Sequence, residues 1–368
     1  MVQEKVGRAA QLLRSLLEVA PTPSLWCTLG DVLDDDALLE KAWALSNQRL
    51  ARAKRLLGAS AFKRADYEAA KRHLSDALAV NAQFPSAWFR LGAAAMRTRD
   101  WPTAKTAYSR AVMLEPDDGD SWANLATVLD QLGESEAAFK AAGEAVRHAN
   151  LNWRVWDSYL TLALRGEHVD AAITALDVLI DVSERRADSG GARVDATALL
   201  TVVGWLLRGG DDDAAAAATG AAGRVRARFA ELVAKIKAKS ESRADVWAVL
   251  AHYYESLGDR PAHRDALLRR CRALMRGERW WETAPTVKQL CLTARALVGV
   301  AVAPRSDSGA PAPQALGGEE SALETAYFVD GVLQRVDRAL GESGALRSDA
   351  DVADAVGALR AARRALPA

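Results

Sequence analysis

Apolar residues recur at helical spacing along most of the chain. The stretch that follows Met1-Val2-Gln3-Glu4-Lys5 is amphipathic. Near the far end Val329, Leu333, Val336 and Leu340 keep a helical interval, and Val352, Val356, Leu359 and Leu366 continue in the same phase. No strand-like alternation of apolar and polar positions stands out. The most apolar run, Leu290 to Ala303, carries Arg295 and is well short of the roughly 20 residues a bilayer span needs, so it predicts a buried helix. The pattern points to an all-α chain.

A longer period overlies the helical one. Trp88, Trp122 and Trp156 are each 34 residues apart, and Ala70, Ala104, Ala138 and Ala172 hold a second column in the same register. Ala77, Ala111 and Ala145 form a third column; Gly58, Gly92 and Ala126 a small-residue one; Leu57, Leu91 and Leu125 an apolar one. This is the arrangement of the tetratricopeptide (TPR) repeat, a pair of antiparallel helices, and residues 85–118 fit it best through Trp88, Leu91, Gly92, Ala104, Tyr108, Ala111 and Pro116. The frame gives four repeats, 51–84, 85–118, 119–152 and 153–186, with fainter copies around Trp26–Arg49 and Trp247–Met275.

The physical basis is helix packing. Gly92 or Ala126 on the first helix and Ala104 or Ala138 on the second let two backbones approach, and larger residues fill the space alongside. One hairpin cannot bury its own apolar faces, so hairpins must stack. Breaks fall where they should: Gly133 closes one helix, Asp100 caps the next with Pro102 in its first turn, and Pro116 stops a third. The expected fold is a right-handed superhelical solenoid of TPR-type helix hairpins with a C-terminal helical hairpin as its cap.

The expected organisation has leading helices and a degenerate repeat over 1–50, then the four repeats over 51–186. An irregular helical connector spans 187–243, with loops at Asp188-Ser-Gly190-Gly191 and Arg208-Gly-Gly-Asp-Asp-Asp213 and a long Ala/Arg/Lys helix ending near Ser240. A degenerate repeat and its following helix occupy 244–303. Residues 304–320, with Pro311 and Pro313, read as a flexible linker before the hairpin of 321–368.

A more specific resemblance lies near the start. The strip Pro21-Thr-Pro-Ser-Leu-Trp26-Cys27-Thr-Leu-Gly30-Asp31, then Lys41-Ala-Trp43-Ala-Leu-Ser46 and Ala51-Arg-Ala53, resembles the segment that opens the repeat array in the tetratricopeptide repeat protein 27 family. That family includes the yeast protein for maintenance of cell wall integrity. The spacing into the array and the late repeat near Trp247 are also similar, while residues 187–240 and 304–320 match less well. Members of the family are roughly twice as long, so the chain resembles a C-terminal half or a shortened form. The resemblance implies an intracellular interaction scaffold tied to chaperone-assisted assembly, and it brings no catalytic residues.

Composition narrows the chemistry. Lys plus Arg and Asp plus Glu are 48 each, so no bulk charge directs the chain to nucleic acid or an anionic membrane. Cys27, Cys271 and Cys291 are too scattered for a disulfide framework and fit a reducing compartment, cytoplasmic or also nuclear. The five His residues, at 73, 148, 168, 252 and 263, make no metal-spaced pair. Asp34-Asp35-Asp36 and Asp211-Asp212-Asp213 lack the alternating ligands of a calcium loop and read as helix-start or loop acids. Asp117-Asp118-Gly119-Asp120 is an inter-repeat turn. Gly190-Gly191 and Gly209-Gly210 lack phosphate-loop partners. No enzyme site, cofactor or metal is expected.

In TPR arrays the first helix of each repeat lines a groove. Those positions hold Arg52, Arg55 and Lys63, then Phe89, Arg90, Met96 and Arg97, then Asp120, Asn124 and Asp130. The strip runs from basic to acidic and suits an acidic peptide or helix, with Phe89 and Met96 as adaptable apolar contacts. A carboxylate clamp for the Hsp70 or Hsp90 tail is not expected: the aligned positions are Arg55, Ala59, Arg90, Asp120 and Asn124, with an acid where a cation is required. Two rival readings are an RNA-binding helical array, from the cluster Arg52, Lys54, Arg55, Lys63, Arg64 and Arg97, and the regulatory half of a larger enzyme. The balanced charge makes nucleic acid the weaker partner.

Overall fold

The computed structural model describes residues 2–185, 195–208, 221–239, 243–276, 280–302 and 318–366, all of it helices and their connections with no strand among the described residues. The chain divides into two compact units, Met1–His168 and Val169–Ala368. The boundary falls between the two helices of the fourth sequence repeat. The loops expected around Gly190-Gly191 and Gly209 to Asp213, and the linker up to residue 317, lie outside the described residues; 318–320 open a helix instead.

The first unit contains α1 (Val2–Val19), α2 (Pro23–Leu33), α3 (Asp36–Leu45), α4 (Ala51–Lys63), α5 (Tyr67–Val80), α6 (Pro85–Arg97), α7 (Trp101–Leu114), α8 (Gly119–Gln131), α9 (Ser135–His148) and α10 (Trp153–Arg165). Helices α2/α3, α4/α5, α6/α7 and α8/α9 pair as hairpins, and consecutive hairpins pack through α3 on α4, α5 on α6 and α7 on α8. The hairpins α4/α5, α6/α7 and α8/α9 lie within 51–84, 85–118 and 119–152. The small-residue column explains the close pairing: a Cβ at Gly58 would lie 2.6 Å from Leu74, and one at Gly92 2.7 Å from the ring of Tyr108. In the next hairpin the corresponding pair is Ala126 and Ala142, both buried in one cluster with Ala104, Ala138, Leu125 and Leu129. Glycine faces a large side chain in the first two hairpins, and two alanines hold the corresponding positions in the third. Ala172, in the second unit, is fully buried as well.

Each tryptophan of the column does more than fill space. The indole Nε1 of Trp88 donates to the carbonyl of Ala82 at 2.8 Å, that of Trp122 to Pro116 at 2.7 Å and that of Trp156 to Asn150 at 2.8 Å. In every case the acceptor is the residue six positions earlier, in the turn that enters the repeat. The first repeat has Lys54 at this position. It is buried, and its ammonium reaches Glu40 at 3.2 Å and donates to His73 Nδ1 at 3.2 Å.

The turns inside the hairpins also repeat. Ala65, Arg99, Gly133 and Glu167 occupy one column and all adopt left-handed backbone, with φ of 61°, 58°, 77° and 56°. The next residue begins the second helix, where Asp66 accepts from Ala69 N at 3.0 Å and Asp100 from Thr103 N at 3.3 Å. Neighbouring repeats are tied at this same place: Lys71 to Asp100 at 3.0 Å, then Lys105 to Glu134 at 2.7 Å. One repeat further the pair becomes aromatic, Phe139 stacked on His168 with centroids 3.9 Å apart.

The second unit holds α11 (Val169–Arg185), α12 (Ala196–Arg208), α13 (Ala221–Lys239), α14 (Ala244–Ser256), α15 (Arg260–Leu274), a short 3-10 turn at Trp280–Glu282, α16 (Ala284–Val302), α17 (Gly318–Glu342), α18 (Gly344–Ser348) and α19 (Ala350–Arg363). Helices α14 and α15 form the late hairpin, with Trp247 fully buried. Lys235 bridges α13 to Asp177 and Asp181 of α11, both at 2.7 Å. The apolar run expected as a buried helix is α16, whose Val287, Leu290, Cys291, Ala294 and Leu297 are completely covered. Helices α17 and α19 both pack on it. They run antiparallel, joined by Arg363 to Asp330 at 2.7 Å and Arg360 to Asp337 at 2.5 Å.

Candidate protein-binding cleft

The first helices α4, α6 and α8 of three successive repeats bound an open cleft of about 650 Å³. Its floor is apolar and small, built from Ala59, Phe62, Pro85, Phe89 and Ala93. Lys63 and Arg90 provide cations, and Glu115, Asp118 and Asp120 provide acids. Phe89 is fixed edge-on against Tyr108, with centroids 5.7 Å apart, so the second helix of its own repeat sets the floor. Asp118 is held by its capping role at the start of α8, where it accepts from Asp120 N at 3.2 Å and from Ser121 Oγ.

Of the residues expected in the groove, the structure brings together Lys63, Phe89, Arg90 and Asp120. Arg52 is exposed and pairs with Asp31 at 3.1 Å, and Arg55 sits over the Phe84 ring with Cζ 4.0 Å from its centroid. Burial, and then the charges of Arg52 and Arg90, lower the pKa of Arg55, which places the three guanidinium groups in one field. Met96 packs against the hydrophobic core and is spent there, Arg97 is exposed, and Asn124 is half-buried; none of these three lines the cleft. Asp130 bridges to Arg165 at 2.7 Å. Phe62, Glu115 and Asp118 were not marked by the sequence. Glu115 and Asp118 sit at the end of one repeat, where an acid reads as turn chemistry, and only the stack of the next helix brings them to the cleft.

Four of the six cations in the basic cluster proposed for RNA have an acidic neighbour. Lys54 pairs with Glu40, Lys63 with Asp34 at 3.7 Å, Arg64 with Asp36 at 2.7 Å and Arg52 with Asp31. This also accounts for the Asp34-Asp35-Asp36 run, since Asp35 caps α3 by accepting from Ala37 N at 2.9 Å. The three cysteines are free and buried, and burial raises the thiol pKa to about 12 at Cys271 and about 11 at Cys291. Among the described residues no group of three or more His, Cys, Asp or Glu is placed to hold a metal, and no helix is long and apolar enough to cross a membrane.

The paired helices, the 34-residue column and the groove they frame define the class: this is a tetratricopeptide repeat protein, and the family model for that repeat matches residues 61–129. Among curated proteins the chain is similar to the tetratricopeptide repeat protein 27 homolog of Dictyostelium discoideum, 29% identical over 269 residues that cover 73% of this chain and 30% of that protein. It is also 30% identical to the tetratricopeptide repeat-containing protein trd-1 of Caenorhabditis elegans, over 53% of this chain and 26% of that one. A third relative, the Saccharomyces cerevisiae protein called essential for maintenance of the cell wall protein 1, is 26% identical over 50% of this chain and 21% of its own length. These relatives make the chain similar to the tetratricopeptide repeat protein 27 family. It spans under a third of the length of these relatives. Among solved structures, YrrB, a TPR protein with an unusual peptide-binding site, aligns with 48% of this chain and 95% of its own at 17% identity and a TM-score of 0.44.

Proposed function

We propose that the chain is a non-enzymatic interaction scaffold of the cytoplasm, and of the nucleus as well, whose α4/α6/α8 cleft holds a peptide or helix of a partner protein. The observation that carries the reading is the cleft's composition: an apolar floor around Phe62 and Phe89, with cations at Lys63 and Arg90 and acids at Glu115, Asp118 and Asp120. Such a surface favours a segment with an apolar anchor, an acidic side chain for Arg90 and a basic one for Asp120. Arg90 can take a carboxylate through two parallel hydrogen bonds, which adds orientation to attraction. A service in chaperone-assisted assembly fits this role, through a segment other than the carboxylate tail that Asp120 would repel.

The test is recovery of partners by affinity purification and mass spectrometry, comparing the wild type with Arg90→Glu, Asp120→Lys and the double reversal. Each single reversal is expected to lose a specific set of proteins at unchanged helicity. An identical partner list from all variants would reject the cleft as the binding surface. Loss of bound RNA in place of proteins would favour the RNA reading.

A further inference from the structure

The second unit contains a cluster of arginines with no counterpart in the cleft described above. Arg269, Arg272 and Arg276 lie three and four residues apart, so they follow one face along the last turns of α15 and just beyond it. Arg335 of α17 completes the set, and together with Met275 they line a hollow of about 390 Å³. The geometry is held by the parallel run of the two helices. Arg264 bonds Glu324 at 2.8 Å and Thr325 at 3.2 Å at one end, and Arg335 reaches Met275 Sδ at 3.8 Å at the other.

The two ends of this contact differ in charge. Arg264 is answered by Glu324, and Arg269 is answered by Asp265 at 3.1 Å and leans over the Trp247 ring at 5.1 Å. Among the described residues, Arg272, Arg276 and Arg335 have no carboxylate partner. A helix C-terminus favours nearby cations and accounts in part for Arg272 and Arg276. It does not account for Arg335, which lies more than a turn inside α17 and still points its guanidinium to the same hollow. Three exposed, unanswered cations converging from two helices favour an anion of more than one charge. A phosphate monoester carries about −1.5 to −2 at neutral pH with three acceptor oxygens, whereas a carboxylate carries one charge and two oxygens. The hollow is also short, and the Asp265–Arg269 pair flanks it, which disfavours a continuous nucleic-acid backbone.

We infer that this hollow binds a phosphorylated serine or threonine of a partner protein. Arg335 and Arg272 grip the phosphate from opposite helices, and Arg276 and the Met275 thioether meet the flanking residues.

The full chain is the reagent, probed with an array of randomised-flank peptides centred on phosphoserine, the same array with serine and the same array with glutamate. Hits are measured in solution by fluorescence anisotropy. Phosphoserine peptides are expected to bind at least tenfold more tightly than either counterpart, and Arg335→Glu and Arg272→Glu each to weaken them at least tenfold with the circular dichroism unchanged. The inference is overturned if no phosphopeptide exceeds its serine counterpart, or if Arg335→Glu and the milder Arg335→Met both bind as the wild type does. Displacement of the peptide by inorganic phosphate at a concentration close to that of the peptide would overturn it too, because the site would then be one for the free ion. So would equal displacement by a uridine-rich oligonucleotide of matched charge.

Discussion

At the scale of single residues, the 34-residue columns are places where one contact is made repeatedly, and each can be tested by itself. Trp122 is half-buried, packs on the cluster around Leu125 and Leu129, and donates its indole to Pro116. Trp122→Phe keeps most of the packing and loses the hydrogen bond, so about 1 kcal/mol is expected; Trp122→Ala should cost about 2–3 kcal/mol, below the range for a fully buried aromatic. Urea unfolding of both variants checks this. Gly92→Ala forces a methyl against Tyr108 and should cost about 1–3 kcal/mol by overpacking. Adding Tyr108→Ala recreates the Ala126/Ala142 arrangement, and the pair should cost less than the sum of the two single changes. Strict additivity would show that the Gly92–Tyr108 contact is not the constraint. Lys54 offers a pH test, because its hydrogen bond to His73 Nδ1 needs a neutral ring. Burial first, and then the Lys54 charge, depress the pKa of His73, while Glu40 and Asp76 pull the other way. As pH falls below the ordinary imidazole value of about 6.5, the unfolded chain binds the proton first, so stability present above that pH is lost as the folded pKa is approached. His73→Asn, which keeps an acceptor but does not titrate there, should flatten the profile of midpoint against pH between neutral and mildly acidic solution.

At the scale of elements, the hairpins were legible in the sequence and their turns only in part, through Gly133 and the Asp100 cap. The helices follow from a hydrophobic period and from bulky and small columns, which survive variation because packing tests volume. The left-handed turn column shows why the rest was hidden: only Gly133 announces it, while Ala65, Arg99 and Glu167 occupy the same conformation without a residue suited to it. An L-residue in that region costs about 1 kcal/mol, so the surrounding hairpin must impose the turn. Ala65→Gly and Arg99→Gly should therefore each stabilise the chain by up to about 1 kcal/mol, measured as a raised unfolding midpoint; destabilisation by both would show that their side chains matter more than the backbone. The ties between repeats were hidden for another reason. Lys71 and Asp100 are distant in sequence and meet only after stacking. Burial alone would raise Asp100, but hydrogen bonds from Lys71 and Thr103 outweigh it and hold the carboxyl below its ordinary value. The candidate cleft divides in the same way: Lys63, Phe89, Arg90 and Asp120 were readable from motif positions, whereas Glu115 and Asp118 looked like turn acids until the next repeat was in place.

At the scale of the molecule, the repeat signal does not extend evenly. The first unit is a run of hairpins in which each contacts its neighbours, whereas the second packs α15, α17 and α19 on α16 and has its own fully buried set of Phe229, Ile236, Trp247, Leu250, Leu290 and Leu297. Two units with separate cores are not bound to unfold together, so a single all-or-none transition is not the expectation. Calorimetry of the intact chain should resolve two components. Gly92→Ala, which strains the first unit, should lower one of them, and Leu290→Ala, which removes a covered side chain at a cost of about 2–5 kcal/mol, should lower the other. The decisive feature is the cross-effect. If each variant shifts only its own component, the cleft on α4/α6/α8 and the arginine hollow on α15/α17 belong to bodies that can lose structure independently, and occupancy of one need not protect the other. If either variant shifts both components together, the division at His168 is one of contact density alone, and a phosphopeptide bound at Arg335 should then raise the midpoint of the whole chain by mass action.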